Sequence, residues 1–74
     1  MFNIWHTLNK KPHRDPEQKM QSILVLGWSK NFGYELIFYD RLNKRWVDEY
    51  GNYPIYSNIW QYLPEPPKND KKSK

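Results

Sequence analysis

Few residues of this chain have side chains suited to chemistry: His6 and His13, the carboxylates Asp40, Asp48 and Glu49, and the hydroxyls of Ser22, Ser29, Ser57 and Ser73. The histidines stand seven positions apart in a chain without cysteine. Zinc sites need Cys or His pairs at short fixed spacings, or a His-Glu-x-x-His helix, and neither is present. Solvent-facing or partly packed histidines are the simpler reading. Asp48 and Glu49 are neighbours in a stretch that reads as a strand. They therefore point to opposite faces and cannot work as one acid–base pair. Asp40 and Asp48 can approach across a hairpin, where a solvated face is the simpler reading. Gly27, Gly33 and Gly51 are too far apart to cradle a phosphate. No serine lies in a nucleophile elbow. No catalytic residue, metal ligand or cofactor is expected, and the chain is not expected to be an enzyme.

The aromatic residues are the richer set. Four Trp, six Tyr and three Phe make 18% of the 74 residues. Trp5, Trp28, Trp46 and Trp60 exceed what so small a body can bury completely. Two or three are expected in the core and the rest on a surface where a partner or a base can stack. The candidate binding residues are Trp5, Tyr39, Arg45, Trp46, Trp60 and Tyr62. Lys30, Arg41, Lys44 and Arg45 lie near them in sequence and would serve a nucleotide or single-stranded nucleic acid. Against that use, the charge is scattered. The net charge is +4, but half of the excess falls on residues 64–74 and the rest is nearly balanced. A nucleic-acid surface ordinarily gathers its cations on one folded face.

The elements that must position these side chains read as strands. A 74-residue chain makes one domain and buries only about 60% of its unfolded surface. Without cysteine it has no disulfide to reinforce it, so aromatic packing and self-association remain. Residues 2–8 read as a short strand or an extended arm. Asp15-Pro16-Glu17-Gln18 is a helix-start signal, sufficient for a turn or two. Residues 22–28 form the strongest strand, residues 34–40 the second and residues 45–50 the third, with Gly- and Asn-bearing loops between. The last begins near Ile59 and stops at Pro64, where prolines forbid further pairing. The expected fold is mainly β: a small antiparallel meander of four to five strands with one short helical turn. One domain over residues 1–67 and a disordered basic tail over 68–74 complete the outline.

Several of these residues also form a recognisable sequence. Trp5, Leu8 and Pro12 are followed by Ile23-Leu24-Val25-Leu26, by Tyr39 and Trp46, and by Ile59-Trp60-Gln61-Tyr62-Leu63-Pro64-Glu65-Pro66-Pro67. This resembles a small phage- and prophage-encoded domain of unknown function, the family numbered five hundred and fifty-one. The specific part is the closing Trp-x-x-Leu-Pro-x-Pro-Pro; the family's Leu-Pro pair is separated here into Leu8 and Pro12. The resemblance implies phage origin and the cytoplasm of a host cell, and it implies no activity.

No apolar run approaches the roughly 20 residues needed to span a bilayer, and no signal peptide is evident at residues 1–5. The function expected is a non-catalytic, phage-derived interaction module that binds, and in one version inhibits, a host or phage protein. The alternative is nucleotide or single-stranded nucleic-acid binding through exposed aromatics and adjacent cations. Leu24, Leu26, Leu36, Phe38, Trp46 and Trp60 are the expected core. Ile37, Tyr39, Val47 and Tyr62 are expected on the opposite face, where a second copy would cover them in a homodimer.

Overall fold

The computed structural model describes residues 4–64. Its five strands are β1 (His6–Thr7), β2 (Val25–Ser29), β3 (Gly33–Asp40), β4 (Arg45–Asp48) and β5 (Ile59–Gln61). They form one antiparallel sheet in the order β1-β5-β2-β3-β4. The mainly β class and the five antiparallel strands agree with the sequence reading. Part of the expected tail boundary, with Glu65, Pro66, Pro67 and residues 68–74, lies outside the described residues.

The meander covers three strands, β2-β3-β4. The fourth, β5, returns across the sheet to lie beside β2 and not beside β4. This is the Greek-key order of four strands, with β1 added at the outer edge.

The short helical turn expected at Asp15 is absent; no helix occurs among the described residues. Asp15 does cap a turn, its Oδ1 accepting from the backbone N–H groups of Glu17 (2.8 Å) and Gln18 (3.3 Å). The chain it caps then reverses, because Asp15 N bonds Gln21 O and Ile23 N bonds His13 O. These two bonds pull residues 13–15 and 21–23 into a small hairpin, leaving no length for a helix.

Ahead of β2 the pairing slips. Val25 faces Ile37, yet Gln21 faces Asp40, so four steps along one strand match three along its partner. This is a β-bulge. Ser22 heals it: its N–H bonds Tyr39 O, and its Oγ accepts from Tyr39 N at 2.8 Å. That explains why a serine is almost fully buried there.

The core sits on one face of the sheet. Val25, Ile37 and Trp60 are completely buried, with Leu8, Ile23, Trp46, Ile55 and Tyr62 packed against them. This corrects the expected core. Of the six residues named for it, Trp60 is fully buried and Trp46 packs on it. Leu26, Leu36 and Phe38 occupy the opposite face, half-buried, and Leu24 in the bulge segment is half-buried too. Conversely, Ile37, expected on the face in need of cover, is in the core. Val47, buried on the opposite face, is shielded without belonging to that core. Alternation holds within each strand, but the register between strands mixes the two expected sets: Trp46 and Trp60 share a face with Ile37 and Tyr39, and Val47 shares one with Leu36 and Phe38.

Candidate functional site

Two connections decide which face is covered. Residues 49–58 must cross from β4 to β5, and they cross over the face that holds Ile37. Gly27 and Glu35 are cross-strand partners on that face. A Cβ on Gly27 would collide with Ser57 Oγ and stand 2.7 Å from Ser57 Cβ and 2.8 Å from Ile37 Cδ1. The missing side chain is therefore what lets the crossing loop approach. Glu35 fastens it: one carboxylate oxygen accepts from Tyr56 N (2.8 Å), Ser57 N (2.7 Å) and Ser57 Oγ (2.7 Å). At the other end, residues 8–13 fold over the same face. Trp60 Nε1 donates to Thr7 O at 3.1 Å and to Lys10 O at 2.9 Å. Trp46 Nε1 reaches Leu8 O at 3.3 Å. A buried indole and a half-buried one thus satisfy the carbonyls of the segment that covers them.

Four of the six candidate binding residues belong to this covered face. Their rings run in sequence from Tyr39 to Trp46 (5.6 Å), Trp46 to Trp60 (6.1 Å) and Trp60 to Tyr62 (4.9 Å). Tyr62 is flanked by both histidines: His13 stacks on it at 5.0 Å and His6 meets it edge-on at 6.1 Å. His6 and His13 are therefore aromatic packing partners. Trp60 is completely buried and offers no ring face to a ligand. Trp5, one residue ahead of β1, lies apart from the four and is 37% exposed. Arg45 lies apart as well. Its guanidinium sits 3.7 Å from the ring centre of Tyr53, and its buried Nε has no hydrogen-bond partner among the described residues.

Of the basic residues set beside the aromatics, Lys30, Arg41, Lys44 and Arg45, one, Arg45, lies over a ring of the chain itself. Lys11 lies 5.0 Å over the ring of Tyr39, as Arg45 does over Tyr53. Each of these cation–π contacts occupies a ring face that a base would need.

The carboxylates are structural. Asp40 caps the β3–β4 turn through Leu42 N, Asn43 N and Asn43 Nδ2. Asn43's side chain and backbone, with Leu42 N and the nearby Arg45, hold its pKa below the ordinary carboxylate value. Asp48 accepts from Tyr50 N and Asn52 N, and those hydrogen bonds, Asn52's first, lower its pKa in the same way. Among the described residues there is no pocket and no group of three metal-ligating side chains. No helix there is long and apolar enough to cross a membrane.

The opposite face of the sheet is the surface that the sequence reading placed wrongly. Register puts Leu26 against Leu36, Trp28 against Tyr34 and Ile59, and Phe38 against Val47. All are apolar or aromatic. Trp28, Leu26, Leu36, Phe38 and Ile59 are half-buried and Tyr34 is 67% exposed. Residues 8–13 and 55–57 lie on the other side, while Tyr53 packs against the Arg45 guanidinium. A second exposed feature lies at the β2–β3 turn, where Phe32 and Tyr56 pack ring on ring at 4.2 Å while remaining 64% and 60% exposed. Gly27 is the sequence signal that identifies the covered face, since a glycine inside an apolar strand marks a close approach of backbone.

No family model matches the chain, and no curated protein and no solved structure matches it either.

Proposed function

We propose that this chain is a non-catalytic interaction module that binds another protein through the second face of its sheet. The observation that supports the reading is the half-buried apolar surface of Leu26, Trp28, Leu36, Phe38 and Ile59, with exposed Tyr34, on the face away from the loop that Glu35 fastens. Soluble proteins seldom leave a contiguous apolar surface of several hundred Å² without a use for it. Phage origin is carried by the resemblance of residues 59–64 and the prolines after them; with that origin, a host or phage protein is the partner proposed, and its inhibition one version of the proposal. An enzyme would need a concave site with convergent polar groups; the polar side chains described above are instead tied to the backbone as caps and clamps.

The test sets protein capture against nucleic-acid binding. The immobilised chain and a Leu36→Lys variant are exposed to host lysate, and a single-stranded oligonucleotide is titrated at two salt concentrations. The expected result is protein capture that Leu36→Lys removes, with no oligonucleotide binding. Oligonucleotide binding that falls steeply with salt and survives Leu36→Lys would overturn the reading in favour of the nucleic-acid alternative.

A further inference from the structure

We infer that the protein partner of this module meets it with an acidic segment, held at the end of the sheet where the β3–β4 turn and the hairpin of residues 13–23 come together. The inference rests on the interaction-module reading and adds the charge of the partner.

In the sequence the basic residues are spread from Lys10 to Arg45. The fold collects them. The N–H of Arg41 donates to Met20 O at 2.8 Å, that of Ser22 donates to Tyr39 O at 2.9 Å, and Gln21 bridges Asp40. These contacts seat the hairpin beside the turn. Arg14 and Lys19 of the hairpin therefore stand at the same end of the sheet as Arg41, Lys44 and Arg45. Lys11 lies over Tyr39, the residue before the Gln21 bridge. Lys30, in the β2–β3 turn, is at the opposite end.

Six cations are thus gathered with three carboxylates, Asp15, Glu17 and Asp40. Two of the three carboxylates are engaged by their own turns. Asp15 Oδ1 accepts from the N–H groups of Glu17 and Gln18, and the two oxygens of Asp40 accept from Leu42 N, Asn43 N and Asn43 Nδ2. Arg14, Lys19 and Lys44 are exposed. The remainder of the described chain sets Lys10 and Lys30 against Glu35, Asp48 and Glu49 and is slightly negative. The nearly balanced total conceals this separation of charge.

A charged end of this kind steers and orients an oppositely charged partner. Carboxylates spaced along a peptide suit it better than a phosphate backbone. A single nucleic-acid strand needs ring faces for its bases, and the rings at hand, Tyr39 and Tyr53, lie under Lys11 and Arg45. A duplex presents a charge about every 1.7 Å, and Asp15, Glu17 and Asp40 interrupt the cations it would follow. A peptide can set its carboxylates between them.

Fluorescence anisotropy of a labelled deca-glutamate peptide, titrated with the full chain, tests this. Binding is expected at low salt and is expected to weaken at least about tenfold when about 0.15 M salt is added. Lys19→Glu and Lys44→Glu, at exposed positions of the two segments, are each expected to weaken it about threefold or more. Lys30→Glu, the same change of charge at the opposite end, is expected to leave it within about twofold. Absence of peptide binding at low salt overturns the inference, and so does a loss in Lys30→Glu equal to that in Lys44→Glu. Displacement of the labelled peptide by the single-stranded oligonucleotide at a lower concentration than the unlabelled peptide requires overturns it in favour of phosphate. The module reading fails separately. Lysate capture that survives Leu36→Lys, with peptide binding intact, removes the second face and keeps the basic end; capture lost in Leu36→Lys, with no peptide binding, does the reverse.

Discussion

The two faces of this sheet are built from alternate residues of the same strands, yet they are held in different ways. The covered face is aromatic and bonded. Trp60 and Trp46 fill its centre and each donates its indole N–H to a loop carbonyl, while Glu35 holds the crossing loop by three hydrogen bonds. On the second face the strands present Leu26, Leu36, Phe38 and Ile59, which have no polar atoms to tie anything down, and Trp28. Comparable apolar content therefore gives a core on one side and a half-buried apolar surface on the other. Directional bonds to the connections, more than hydrophobicity, distinguish them.

The comparison breaks first, and with the largest effect, at Trp60. Trp60→Ala removes a fully buried side chain and leaves Thr7 O and Lys10 O without their donor. A loss of about 3–5 kcal/mol is expected in urea unfolding, enough to unfold much of a marginal domain. A variant that keeps its melting temperature would show that the core lies elsewhere.

Glu35→Ala attacks the fastening alone. Three donors lose their acceptor, and a cost of about 2–3 kcal/mol follows if each bond is worth about 1. Amide exchange should quicken at Tyr56 and Ser57 before it does in β3; uniform exchange would mean that the loop is held by packing.

Gly27→Ala tests the passage of the loop. The new methyl meets Ser57 and Ile37, and overpacking of this kind costs about 1–3 kcal/mol. Adding Ser57→Gly should recover part of it, and a double-mutant cycle measures how much. Strict additivity would remove Gly27 as the cause of the loop's path.

On the second face the effect on the monomer is smaller. Leu36→Thr keeps a good strand former and should cost about 1 kcal/mol or less at low concentration. A loss as large as that of Trp60→Ala would reveal a second core.

The smallest effect is on acid stability. Asp40 and Asp48 titrate below the ordinary value of 3.8 when folded, so the unfolded chain binds protons first. Their contribution is complete above that value and is lost as pH falls through the lower, folded-state one. Asp48→Asn should lower stability by a constant amount above about pH 6 and flatten the curve below about pH 4, where the two proteins converge. An unchanged acid limb would show that its hydrogen bonds to Tyr50 and Asn52 do not persist in solution.

Much of the local structure was legible. The apolar runs near residues 25, 36, 46 and 60 became β2 to β5, and Gly33 and Gly51 took the positive φ their turns require. The capping capacity of Asp15 was legible as well, though the helix expected after it does not form, because backbone bonds between residues 13–15 and 21–23 hold the segment as a hairpin. The candidate site was legible in part: four of its six residues do form one connected set of rings, but that set faces inward.

By itself, the sequence determined that the chain makes strands, roughly where they begin and end, and which residues of one strand share a face. It could not choose between the faces. Leu36-Ile37-Phe38-Tyr39 is apolar or aromatic at every position, so alternation gives two sets of nearly equal hydrophobicity and no preference between them. Only the tertiary structure decided. The crossing of residues 49–58 found a gap above Gly27 and a carboxylate at Glu35 on the same side, set β5 beside β2, and so made that side the core. Those contacts join residues more than twenty positions apart, which no local pattern of side chains encodes.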